Sequence, residues 1–269
     1  MNDTKNTDLG SGSIGKLLFK LSLPAIIAQL VNVLYNIVDR MFIGRLDNGD
    51  LAMAGIGVAF PIITLISAFS ALIGNGGDLA VGAMAIMNSV MQIMLMPLMG
   101  LTMGAQPILS YNYGANKMDR VGKTFKLLLA SCITYTVLIG GTVLLFPEFY
   151  VSIFNDKPEL VEITSWCMRI FFIGTLIFGG QIACQQTFLS LGKAKISLIL
   201  ALLRKIILLV PLTFILPVFF ENKLLGTLVA EPVADIVATL TTVICFSIFY
   251  KKLIKLKKSN EALIYGVYD

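Results

Sequence analysis

An all-α, polytopic transmembrane helical bundle of about seven spans follows from three observations on this 269-residue chain. Hydrophobic side chains make up 57% of it and charged ones 14%, with a mean hydropathy of +0.84, a balance too apolar for a water-soluble surface. Apolar runs of about 20 residues recur from Leu21 to Tyr250, each long enough to cross about 30 Å of hydrocarbon as a helix. The in–out alternation of a membrane β-barrel is absent, so the backbone hydrogen bonds must close within helices.

The net charge of +5 is a topology signal. The basic residues gather at span ends and in the tail from Lys251 to Lys258, not in one stripe, so no nucleic-acid partner is expected. The chain has no histidine, which removes Ser-His-Asp and Cys-His catalysis and argues against a zinc site. Cys132, Cys167, Cys184 and Cys245 lie inside apolar segments and read as small buried hydrophobes. With no nucleophile–base pair and no phosphate loop, neither an enzyme nor a cofactor is expected. The first apolar run is too long for a cleavable leader.

In chain order, residues 1–15 form a polar, mobile cytoplasmic tail, and Lys16 and Lys20 hold the start of the first span (21–43) on the cytoplasmic side. Gln29, Asn32, Asn36 and Asp39 in that span follow a 3, 4, 3 spacing and share one helix face. A polar stripe ending in a carboxylate faces a cavity or another helix, either as interhelical glue near Arg40 and Arg45 or as a site. The second span (54–73) carries Pro61, and the third (83–103) carries Asn88 and Gln92 one turn apart, as cavity lining or packing glue. Gly49-Asp50-Leu51-Ala52 recurs as Gly77-Asp78-Leu79-Ala80, each copy opening a Gly/Ala/Met-rich span, an internal repeat of the kind transporters use.

Between the third and fourth spans runs Gly104-Ala105-Gln106-Pro107, then Tyr111-Asn112-Tyr113-Gly114-Ala115, then Lys117, Arg120, Lys123 and Lys126. Glycine and proline punctuate this stretch as a turn, and the basic residues place it in the cytoplasm. The fourth span is 124–146, followed by an outer loop with Pro147 and Asn155-Asp156-Lys157-Pro158. The fifth (164–188) carries Gln181 and Gln185 one turn apart, lining a pathway or gluing helices. The sixth (196–220) contains Arg204-Lys205, expected to snorkel to the cytoplasmic interface, or alternatively to place charge in the pathway. The seventh (224–250) holds Glu231 and Asp235 on one face, as an ion site or as acids near outer water.

The GAQP and YNYGA wording with its basic helix start resembles the loop after the eighth helix of the multidrug and toxic compound extrusion (MATE) transporters. The stretch from Asn36 to Gly44 likewise looks like that family's first helix. The resemblance implies secondary active export of amphipathic or cationic organic compounds, with membrane lipids around a two-lobe fold in a bacterial cell (inner) membrane. It makes Asp39 the ion-coupling residue for Na+ or H+, supported by Asn36 and Asn32, and makes Gln29, Asn88, Gln92, Gln181 and Gln185 candidates for the substrate cavity. Glu231 and Asp235 stand as secondary acidic candidates.

The same resemblance implies an internal deletion. The two Gly-Asp-Leu-Ala copies lie almost adjacent, whereas in the family such segments are separated by several helices. The chain aligns with helices one and two joined to eight to twelve, with the seam near Gly76–Gly77. The expected layout is a partial N-terminal lobe (16–76), most of a C-terminal lobe (77–252) and a basic cytoplasmic tail (253–269). Seven spans conflict with basic residues that put both termini inside, as removal of an odd number of helices would produce. Transport by this short form is therefore expected to be impaired. Two other readings stay open: a lipid-linked saccharide flippase of related architecture, and a non-transporting membrane fragment that pairs with a full-length homologue.

Overall fold

The computed structural model describes residues 9–28, 77–221 and 223–265, and all regular structure among them is helical. The expected second span lies outside the described residues, and the first is described only to residue 28. After a turn at residues 9–12, helix α1 occupies residues 14–28. Then come α2 (Gly77–Gly114), α3 (Met118–Leu145), a short α4 (Pro147–Ser152), α5 (Pro158–Phe171) and α6 (Thr175–Ser190). Helix α7 (Ala194–Leu202) passes through a π-helical segment, Leu203–Leu209, into α8 (Val210–Phe219), and α9 (Lys223–Tyr265) closes the described chain.

Four of these stretches are long and apolar enough to span a membrane: Gly82–Gly114, Met118–Leu145, Ala194–Phe219 and Leu225–Lys255. Pro158–Phe171 and Thr175–Ser190 make a fifth if they count as one span bent by 53°. The third to seventh expected spans are thus all present among the described residues, and the protein is a multi-pass membrane protein. The fifth is not straight: the chain breaks at Phe172–Gly174, and the outer loop before it contains α4, with Pro147 at its first turn.

One expectation fails at the central motif. Gly104–Gly114 does not turn but continues α2 as helix through Pro107. A proline removes one hydrogen bond, and inside a membrane bundle neighbouring helices re-satisfy the freed groups. Around this proline α2 is also tied to α6: Gln186 Nε2 donates to Gln106 Oε1 at 3.2 Å, and Ser110 Oγ donates to the Ser190 carbonyl at 2.9 Å. The turn falls directly after Gly114, where Asn116 adopts φ 57° and Lys117 N–H bonds back to the Asn112 carbonyl at 2.8 Å.

Helix α6 is the hub, in contact with α2, α3 and α9. Small residues set its closest approach. A Cβ on Gly179 would lie 2.5 Å from the Cys132 carbonyl oxygen of α3, and one turn along Thr136 Oγ1 donates to the Leu176 carbonyl at 3.0 Å. Both are the packing devices of membrane helices, which lack a hydrophobic drive to associate in lipid. Large apolar side chains face outward instead, as Val218 and Phe219 do at about four-fifths exposure. Three of the four cysteines are buried as expected, and Cys245 is half-buried.

Gly179→Val is expected to lower stability by about 1–3 kcal/mol through overpacking against α3. Gly141→Val, where a Cβ meets nothing within 4 Å, is expected to change little. Thermal denaturation of both variants in nanodiscs reads the difference.

Candidate functional site

Four ionisable side chains meet between the π-helical segment and α9. Arg204 Nε donates to Asp235 Oδ1 at 2.5 Å, and its Nη2 donates to Glu231 Oε1 at 3.2 Å. Lys205 Nζ lies 3.5 Å from the same Glu231 oxygen. Asp235 is fully buried and the Arg204 and Glu231 side chains nearly so, whereas Lys205 is 41% exposed. The guanidinium also lies 4.2 Å above the Phe178 ring of α6, a cation–π contact.

Local sequence explains why these groups converge. Glu231 and Asp235 are one turn apart on α9 and share a face, which Thr239 extends. The π-helical segment widens the backbone at Leu203–Leu209, so that the adjacent Arg204 and Lys205 both reach α9. The break before α6 supplies the remaining space: a Cβ on Gly174 would lie 2.8 Å from Pro232 Cα and 2.9 Å from Asp235 Cβ. The 53° bend and a glycine at its vertex therefore let the acidic face of α9 come in close.

The cluster sits deep. Arg204 is ten residues into Ala194–Phe219 and Asp235 ten residues into Leu225–Lys255, about 15 Å along each helix and close to mid-bilayer. The expectation that Arg204 snorkels to the cytoplasmic interface is overturned, because the guanidinium is buried and turned to the acids. The expectation that Glu231 reaches outer water fails for the same reason. The signal was in the sequence: two cations and two acids in successive spans, too deep to reach water singly.

Two acids against two cations give a neutral set. A coupling cation entering here would have to displace Arg204 from Asp235. Asp235 Oδ2 is nevertheless buried without a hydrogen-bond partner, so the carboxylate keeps one unused acceptor position. Among the described residues, no group of three or more Asp, Glu, Cys or His side chains is arranged to hold a metal ion.

The other candidates divide. Gln181, buried on α6, joins the edge of the site, with its Oε1 accepting from Thr239 Oγ1 at 3.4 Å. Gln185 is one turn away; its Nε2 is buried and unpartnered, and its main-chain carbonyl accepts from Ser197 Oγ at 3.4 Å. Asn88 bonds within its own helix, Nδ2 to the Met84 carbonyl at 3.0 Å, and Gln92 lies half-buried one turn further along α2. Neither enters the charged cluster. Gln29, Asn32, Asn36 and Asp39 lie outside the described residues.

Comparison with known proteins gives a consistent picture. The MatE family model matches residues 24–78 and again 68–215. The multidrug export protein MepA of Staphylococcus haemolyticus is 24% identical over 267 residues, covering 99% of this chain and 50% of that protein. MepA of Staphylococcus aureus strain NCTC 8325 is 22% identical over 249 residues, covering 83% of this chain and 55% of that protein. The chain spans about half the length of these curated relatives. Among solved structures, an inward-facing multidrug resistance MATE family transporter of the MOP superfamily aligns with a TM-score of 0.67 at 13% identity, over 76% of this chain and 46% of that one. A MOP superfamily transporter from Pyrococcus furiosus, described as having a binding pocket of reversed polarity, aligns with a TM-score of 0.66 at 12% identity, over 76% and 45%.

Arg204→Met is expected to destabilise the protein by about 3–5 kcal/mol, because it strands the buried Asp235 carboxylate and leaves Glu231 with Lys205 alone. Lys205→Met, at the exposed edge, is expected to cost less than about 1 kcal/mol. Denaturation midpoints in nanodiscs separate the two.

Proposed function

The chain belongs to the MatE family, and from that premise we propose that it derives from a secondary active exporter of amphipathic or cationic organic compounds in a bacterial inner membrane. The observation that carries this reading is the alignment of almost the whole chain with proteins named for multidrug export. The mechanism is alternating access, in which two lobes rock about a central site and a coupling ion and a substrate favour opposite states. Inward Na+ or H+ supplies the drive.

Asp39, with Asn36 and Asn32 beside it on the same helix face, is the proposed coupling group. The neutral Arg204–Lys205–Glu231–Asp235 cluster supports that assignment, because its acids already hold internal cations. The same neutrality argues against a saccharide flippase, since its two basic groups are not available to an anionic lipid-linked substrate. Polar side chains such as Gln181 and Gln185 would line the substrate path.

We further propose that this short chain transports weakly by itself. The two family matches meet at residues 68–78, across the expected Gly76–Gly77 seam, which supports helices one and two having been joined to eight to twelve. Partners of Asp39 on intervening helices would then be missing. Assembly with a full-length homologue is the way such a chain would regain a complete cavity.

A chimera tests both statements. The intervening helices of the Staphylococcus haemolyticus relative are inserted between Gly76 and Gly77, and accumulation of a cationic dye is followed in a pump-deficient bacterial host. Export by the chimera that is lost in Asp39→Asn is the expected result, with none from the short chain. A silent but membrane-inserted chimera would overturn the efflux reading, and Asp39-dependent export by the short chain would overturn its impairment.

A further inference from the structure

The motif that best marks the family, Asn112 to Arg120, takes no part in the charged cluster. What it touches instead is the beginning of the chain. Arg120 Nη1 donates to the Gly12 carbonyl and Nη2 to the Ser11 carbonyl, both at 2.9 Å. Lys117 Nζ donates to the Gly10 carbonyl at 2.8 Å. Asn112 Nδ2 donates to the Leu9 carbonyl at 2.9 Å. Four consecutive carbonyls are thus held by three side chains of one loop.

The holder is itself built for this. Asn112 is fully buried, and its amide makes three bonds: Nδ2 donates to the Leu9 and Ile108 carbonyls, while Oδ1 accepts from Arg120 Nε at 3.1 Å. That last bond orients the guanidinium so that its two outer nitrogens face Ser11 and Gly12. On the other side, Gly12 adopts φ +71°, which presents neighbouring carbonyls to one guanidinium and which other residues rarely reach. Leu9 packs into the core formed by Leu17, Leu18, Ile108 and Leu109. The expected mobility of residues 1–15 therefore does not extend to residues 9–13.

A second contact lies about 12 Å deeper along α2. Gly100 and Gly104, a small-xxx-small pair, face α1 so closely that a Cβ on Gly100 would lie 2.6 Å from Ile26 Cα, and one on Gly104 would strike Ser22. Ser22 is buried there, its Oγ donating to the Leu101 carbonyl at 3.2 Å. The first helix is thus joined to α2 at a tight glycine contact in the membrane and at a polar clamp on the cytoplasmic side.

We propose that Asn112, Lys117 and Arg120 form a cytoplasmic latch, whose hold on residues 9–12 keeps the first helix closed against the C-terminal half and whose release opens that side. This rests on the two-lobe transporter reading for its purpose, but the clamp itself is local. The two Arg120 bonds to Ser11 and Gly12 are exposed and compete with solvent, while the glycine contact is buried, so the cytoplasmic end opens first and the glycine contact acts as the pivot.

The test uses the full chain carrying Leu18→Cys, a buried position between the clamp and the pivot, in inside-out vesicles, with maleimide labelling of that site followed by peptide mass spectrometry. Labelling is expected to be slow in the otherwise native chain. Arg120→Ala with Lys117→Ala should speed it roughly tenfold or more, the factor that loss of one charge-assisted hydrogen bond supplies. Arg120→Lys should lie between. Deuterium uptake at residues 9–17 should rise in the double variant while uptake at residues 225–255 stays unchanged, which separates unlatching from misfolding. Equal labelling rates in native and double-variant chains, or uptake at residues 9–17 that is already fast in the native chain, would overturn the latch. Dye export in the chimera is read separately, so its failure would leave the latch standing.

Discussion

A charge inside hydrocarbon must be matched where it stands, and this requirement shapes the described part of the molecule. Arg204 near mid-bilayer is answered by Asp235 and Glu231 from the next helix, and the backbone around them departs from regularity to allow it. The π-helical segment brings Arg204 and Lys205 round to α9, and the break at Phe172–Gly174 opens a place for Pro232 and Asp235. The cluster and the irregular helices are two aspects of one solution. Straight, regular helices in these positions would leave at least one carboxylate facing lipid or apolar side chains.

Much of this architecture was legible in the sequence. Span lengths followed from apolar runs, because a bilayer imposes one length on every crossing helix. What periodicity could not supply was the continuation of α2 through Pro107: in water that proline would end a helix, but here the side chains of Gln106 and Ser110 on either side of it bond to Gln186 and Ser190 of a distant helix. Arg204 was misjudged for a related reason. Its burial depends on four charges in two neighbouring spans that sum to zero, a property of the set and not of Arg204 alone. Gln181 was recognisable as a polar group facing inward, but its partner Thr239 was not, since the pair lies 58 residues apart.

The contact between residues 9–12 and the Asn112–Arg120 loop was invisible in sequence for a simpler reason. The acceptors are main-chain carbonyls, which every residue carries, so no pattern of side chains announces them. Only the glycine at position 12 hinted at a special backbone. The motif that most resembles the family is thus a set of donors, and the segment that it serves is a stretch of polar backbone over 100 residues earlier. Together the clamp, the glycine contact and the charged cluster tie the C-terminal half into one unit and fasten the first helix to it.

The central claim is that the buried charges stabilise the protein only by neutralising one another, and a set of substitutions tests it most directly. Arg204→Met, the pair Glu231→Gln with Asp235→Asn, and the combination of all three are compared by denaturation in nanodiscs. Mutual neutralisation predicts strong non-additivity: each partial replacement is destabilising, and the triple variant, in which only the partly exposed Lys205 stays charged, recovers most of the loss. Losses that simply add would mean that the charges act independently, and would contradict the account.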